Sequence, residues 1–155
     1  MMRWLLRMLV ALIYPACAMP GATGLPMPPP MNMAALQRPA TPNSALAAPA
    51  GFHLTPDIVT PAFTVPPQRL FAAIRQVAAA EPRSFLQVAY PEKLQAHYVL
   101  RSDWLNFPDL VTVQVTPESQ LILWSRSVYG RSDFGVNEAR LATWLAALDR
   151  VLATD

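Results

Sequence analysis

Cysteine and histidine are almost absent: Cys17, His53 and His97 are the only three such residues in a chain of 155. One thiol excludes an intrachain disulfide, and one thiol with two scattered imidazoles makes no zinc cluster. Charge is scarce as well, at 14% of residues, and neither sign has an excess where it would count. Twelve Lys and Arg face ten Asp and Glu, and two of the twelve, Arg3 and Arg7, sit in what reads as a targeting segment. Without them the balance is ten against ten. A neutral domain lacks the basic surplus by which proteins hold nucleic acid, so a nucleic-acid partner is not expected.

A long apolar run is missing too, but the N-terminus carries the pattern of an export signal. Residues 1–7 hold two arginines and no acid, residues 8–14 are apolar, and Pro15 breaks the run. Ala16-Cys17-Ala18 then supplies small residues where signal peptidase requires them. Seven apolar residues fall well short of the roughly 20 that cross a bilayer. The expectation is a signal peptide over 1–18, cleaved after Ala18, and a mature protein in the periplasm or cell envelope. A competing reading makes Cys17 a lipidated N-terminus, the one route here to membrane attachment, although Tyr14 and Pro15 fit that motif poorly.

Proline is what the next zone has in quantity. Residues 19–67 contain twelve of the seventeen prolines and only two charges, Arg38 and Asp57. No hydrophobic period runs through them, so 19–56 is expected to be a disordered Pro/Ala/Met-rich linker, with polyproline II at Pro28-Pro29-Pro30. Met19, Met27, Met31 and Met33 survive cleavage, and spaced thioethers can ligate copper(I). No histidine or cysteine reinforces the cluster, so the expectation is tolerated apolar residues rather than a copper tether, and no metal or cofactor is assigned.

A single domain is expected over 57–155, opening with an extended lead-in at Ile58, Val59, Phe63 and Val65. Leu70, Ile74 and Val77 recur at helical spacing, which predicts a helix over 68–81, entered through Pro66-Pro67 and stopped by Pro82. Four strand-like runs follow, at 84–90, 94–101, 109–116 and 120–126. In the second, Leu94, Ala96, Tyr98 and Leu100 alternate with Gln95, His97, Val99 and Arg101; in the third, Val111, Val113 and Val115 alternate with polar residues. Short connections at 91–93 and 117–119 imply antiparallel hairpins. A last helix over 137–153 aligns Leu141, Trp144, Leu145, Leu148 and Leu152, with Asn137 read as its N-cap. The expected fold is α+β: helix, four-stranded antiparallel meander, helix, in two layers.

Hydroxyls, arginines and glycines concentrate between the fourth strand and the last helix, over 125–140. Gly130 and Gly135 permit a tight turn, and free amides at a helix start favour an anion. Ser125, Arg126, Ser127, Arg131, Asp133, Asn137 and Arg140 are the candidate ligand-binding residues, for a small anionic ligand or an envelope protein. The competing reading is structural: Asp133 pairs with an arginine, Asn137 caps, and the serines bond backbone. A serine-type hydrolase using Ser132 with His97 and Asp103 is the enzymatic alternative. His97 reads as a solvated mid-strand position, and Gly130-Arg-Ser132-Asp-Phe-Gly135 is one residue too long for a nucleophile elbow, so no catalytic residue is assigned.

The run Ser-x-Ser-x-x-Gly-x-x-Asp-Phe-Gly-x-Asn-x-x-Arg, from Ser125 to Arg140, resembles the signature of the bacterial family catalogued as domain of unknown function 1499. Asp57-Ile-Val-Thr-Pro61 and Phe107-Pro-Asp109 agree with it. The resemblance covers roughly residues 57–153 and implies an envelope-associated protein; it implies no activity. Family members often carry arginine where this chain has Val128 and a second aspartate where it has Leu110. The leading expectation is therefore a non-enzymatic binding or accessory module of the cell envelope that works through the 125–140 loop.

Overall fold

The computed structural model describes residues 2–154. Its order is α1 (Met2–Ile13), β1 (Ser44–Ala48), β2 (Ile58–Val59), α2 (Pro67–Ala80), β3 (Ser84–Tyr90), β4 (Gln95–Arg101), β5 (Pro108–Val115), β6 (Leu121–Ser127) and α3 (Val136–Ala153). Alternation and hairpin turns put β3 to β6 side by side as the expected antiparallel meander. Prolines bound α2: Pro67 opens it without wasting an amide, and Pro82 follows its end.

The sheet is larger than a four-stranded meander. Its order is β2-β1-β6-β5-β4-β3, six strands among the described residues, mixed because β2 runs parallel to β1. β1 lies antiparallel to β6, with Leu46 opposite Trp124. The segment read as a disordered linker over 19–56 therefore contains an interior strand. Its sequence, Ser-Ala-Leu-Ala-Ala, hides it for two reasons. Alanine is a weak strand former, and a strand buried on both faces shows no alternation of apolar with polar.

Burial on both faces is what β1 experiences. On one side Ala45 and Ala47 join the main core, where Leu70, Ile74, Leu141, Trp144 and Leu148 of the two covering helices meet Val111, Val113, Leu121 and Leu123. On the other, Leu46 and Ala48 meet Met33, Leu36, Ile122 and Trp124 in a second, smaller core. The face expected to be solvated is thus covered by the Pro-rich segment. His97 is buried there, not exposed, its Nδ1 at 3.0 Å from Thr112 Oγ1 and its Nε2 at 3.0 Å from Gln95 Oε1. Burial holds the imidazole pKa below its ordinary value.

Methionine also finds packing roles: Met33 is buried in the second core and Met31 packs against it, while Met19 and Met27 stay exposed. The N-terminal α1 buries none of its residues. Arg7 donates from α1 to the carbonyls of Trp104 (2.9 Å) and Asp103 (2.7 Å). No helix among the described residues is long and apolar enough to cross a membrane.

Candidate functional site

The corner after β6 is built by alternation. Ser125 and Ser127 project from β6 to the helix-covered face, and Arg126 between them projects to the opposite one, because successive side chains of a strand point to opposite sides. Ser125 stands across from Val111 in the main core, and Arg126 across from Leu110. Arg126 therefore never meets the other candidate residues. It is half-buried, with no hydrogen-bond or ionic partner among the described residues, and burial lowers its pKa.

The chain then turns through Gly130 (φ 92°), Phe134 (φ 53°) and Gly135 (φ 81°) into α3. Gly135 is the residue that caps α3, in left-handed conformation; the expected cap, Asn137, lies inside the first turn and is buried. The reason is Asp133. Its Oδ1 accepts from the Gly135 amide (3.0 Å), and its Oδ2 accepts from the Asn137 amide (3.2 Å) and from Asn137 Nδ2 (2.6 Å). A carboxylate thus satisfies the helix start that a neutral cap would otherwise serve. Burial works against its charge, but the bonds from Asn137 and Gly135 together outweigh it and hold the Asp133 pKa below the usual value.

Asn137, released from capping, becomes the hub. Its Oδ1 accepts from Ser125 Oγ (2.5 Å) and from Arg140 (2.7 Å), and its Nδ2 donates to Asp133, to Ser127 Oγ (3.1 Å) and to the Asn43 carbonyl (3.3 Å). Arg140 also donates to Ser125 Oγ at 3.0 Å and pairs with Asp109 Oδ2 at 2.7 Å, the two ionic side chains being only 12% and 16% exposed. Asn43 Nδ2 donates to the Gly130 carbonyl at 2.8 Å, tying the segment before β1 to the loop.

Five of the seven candidate residues thus form one closed network: Ser125, Ser127, Asp133, Asn137 and Arg140. Arg126 leaves by the other face, and Arg131 stands exposed at the tip. The network's polar atoms are engaged by one another, so the anion position at the start of α3 is already held by the protein's own Asp133. Ser132 accepts from the Phe134 amide at 3.2 Å and sits on an exposed loop after β6. His97 is sealed beneath the Pro-rich segment on the far face of the sheet, and Asp103 lies near Arg83 (3.5 Å). The sheet itself separates the proposed serine and base. No three His, Cys, Asp or Glu side chains are grouped to hold a metal among the described residues.

These signature residues fall within a match, over residues 34–148, to the family described as "Protein of unknown function (DUF1499)". The chain belongs to this family. The match starts well before residue 57, which agrees with β1 being part of the folded body. No curated protein and no solved structure matches the chain.

Within the family region, two contributors lie outside the signature and a third, inside it, was not among the candidate residues. Asp109 lies in the Phe107-Pro-Asp109 stretch, and its pairing with Arg140 was open to inference because acids are so few. Asn43 gave no signal, being one polar residue in a Pro/Ala-rich zone. Phe134 is the third. It is 95% exposed at positive φ, next to half-exposed Val136.

Proposed function

We propose that this protein is an exported, non-enzymatic accessory module of the cell envelope, docking a protein partner through the tip at residues 131–136. One observation carries the reading. Phe134 is 95% exposed and held left-handed by bonds within its own loop, its amide donating to Ser132 Oγ and the Gly135 amide to Asp133 Oδ1. Left-handed geometry costs an L-residue about 1–2 kcal/mol, a cost that persists where surrounding structure imposes it, often at binding sites. An aromatic ring presented rigidly to solvent is the kind of anchor that fills a partner's pocket. Exposed Arg131 beside it suits an acidic rim on that pocket.

A partner protein is favoured over a small anion because Asp133 already occupies the helix start and Arg140 is committed to Asp109. Export is supported by the basic N-terminus, the short apolar run in α1 and the small residues ahead of Met19. The test is site-specific photocrosslinking from position 131 in living cells, compared between the unaltered chain and Phe134→Gly. Glycine adopts positive φ freely, so that variant keeps the loop while deleting the ring. A crosslinked partner that disappears with the ring, in a protein no less stable, supports the reading; a crosslink that survives the glycine change defeats it. The N-terminal mass of the envelope-purified protein, lacking residues 1–18, tests export.

A further inference from the structure

The Pro-rich segment lies on the second sheet face in an unusual manner. Between residues 24 and 31 it makes no backbone ladder with the sheet. Side chains read its backbone instead. Arg101 donates to the carbonyls of Gly21 (2.9 Å) and Thr23 (2.8 Å), Gln87 to Pro26 (3.0 Å) and Tyr90 to Pro28 (2.7 Å). Gln95 takes both groups of Met31, donating to its carbonyl (2.8 Å) and accepting from its amide (2.7 Å).

The stoichiometry fits one class of ligand. Proline has a carbonyl and no N–H, so a proline-rich strand presents acceptors in excess. This wall answers with donors at Gly21, Thr23, Pro26 and Pro28, and offers an acceptor only where a non-proline amide, Met31, arrives. Carbonyls read by Tyr and amide side chains are how extended proline-rich peptides are held, since their stiff backbone loses little entropy on docking.

The resident segment fits incompletely. Beneath it lies a cavity of about 30 Å³ lined by Pro28, Met31, Gln87, His97, Thr112 and Arg126, among others. Arg126 is half-buried and its side chain has no hydrogen-bond or ionic partner among the described residues, and the segment over it supplies no acid. Met27 and several flanking residues remain exposed, so little apolar area holds this stretch down.

We propose that this face is a binding site for an extended proline-rich peptide bearing one acidic residue, masked in the resting chain by residues 20–31. The acid pairs with Arg126 at the place of Pro28, and the incoming peptide displaces the resident segment. This site is separate from the tip at Phe134 and stands or falls independently of it.

The probes are three synthetic peptides: residues 20–34 of this chain, the same with Pro28→Glu, and a version of the latter with every remaining proline replaced by alanine. Each is titrated by fluorescence anisotropy into the intact protein and into a full-length chain carrying P28G, P29G and P30G, which loosens the mask. Hydrogen exchange at the Met31 amide is followed in parallel. The acidic peptide is expected to bind about tenfold tighter than the unaltered one, the size of one charge-assisted hydrogen bond. That margin vanishes in Arg126→Gln, and bound peptide speeds exchange at Met31, whose amide Gln95 holds in the resting chain. The loosened chain binds more tightly because its groove is less often occupied. The proposal is overturned by equal binding of the acidic and unaltered peptides, by equal binding of the proline-free peptide, or by peptide binding that leaves exchange unchanged. It is overturned equally by absence of binding to a loosened chain whose Met31 amide exchanges freely.

Discussion

Asn137→Ala is the perturbation that most directly measures what the corner network does. Its side chain makes five hydrogen bonds, two of them to the charged partners Arg140 and Asp133. Charge-linked bonds are worth about 1.5–3 kcal/mol each and neutral ones about 1. The full sum would overshoot, because the partners keep other bonds: Arg140 retains Asp109 and Ser125, and Asp133 retains two backbone amides. Ser125 is fully buried, so water does not readily replace what its hydroxyl loses. A loss of about 3 kcal/mol is expected. For a folded body of this size 1 kcal/mol moves Tm by about 4 °C, so the melting point falls by about 12 °C. Thermal denaturation followed by circular dichroism measures it, with Arg131→Ala as the control from the same loop. That control removes an exposed side chain and is expected to cost less than about 0.5 kcal/mol. A drop under about 1 kcal/mol for Asn137→Ala refutes the scaffolding argument and frees the network to be a ligand site.

Three further outcomes are open to measurement. Phe134→Gly relieves about 1–2 kcal/mol of left-handed strain and adds about 0.4–1 kcal/mol of unfolded-state freedom, so Tm rises by a few degrees or holds, whereas an unstrained Phe134 would make it fall. Leu46→Ala empties a fully buried site in the second core and costs about 3 kcal/mol by chemical denaturation; a tether residue would cost nothing. Buried His97 binds its proton more weakly when folded, so its contribution is complete above the unfolded pKa near 6.5 and is lost as pH falls from there through the lower folded pKa. Stability measured from pH 7.5 to 5 therefore declines, by at most about 1.4 kcal/mol per pH unit from this group, and His97→Gln flattens the decline.

Much of this architecture was legible because its signals are local. The spacing of Leu70, Ile74 and Val77 locates α2, and the valines of β5 declare their buried face by alternation. The corner's residues were also legible as a group, since hydroxyls, arginines and glycines crowd together there in a chain with little charge. Their roles were not. Whether Asn137 caps or becomes a hub depends on Asp133 reaching back to the Gly135 amide, and whether Arg126 joins depends on strand register. Likewise β1 and the covering of His97 come from contacts across the whole chain: Ser-Ala-Leu-Ala-Ala means little until Trp124 and the two helices stand around it. Composition over 19–56 suggested disorder because it measures what a segment can bury by itself, not what a finished sheet offers it.

The position of β1 has a consequence for how the molecule is made. Its hydrogen-bonding neighbours are β6, near the far end of the chain, and the two-residue β2. Residue 48 leaves the ribosome long before residue 127, and at about 5–20 residues per second the delay is roughly 4–16 seconds. During that interval an alanine-rich strand waits with bare edges while its slot does not yet exist. Nascent chains halted before the end of α3 should thus remain protease-sensitive over residues 44–59, and completion of β6 and the helix that covers it should close the body in one step.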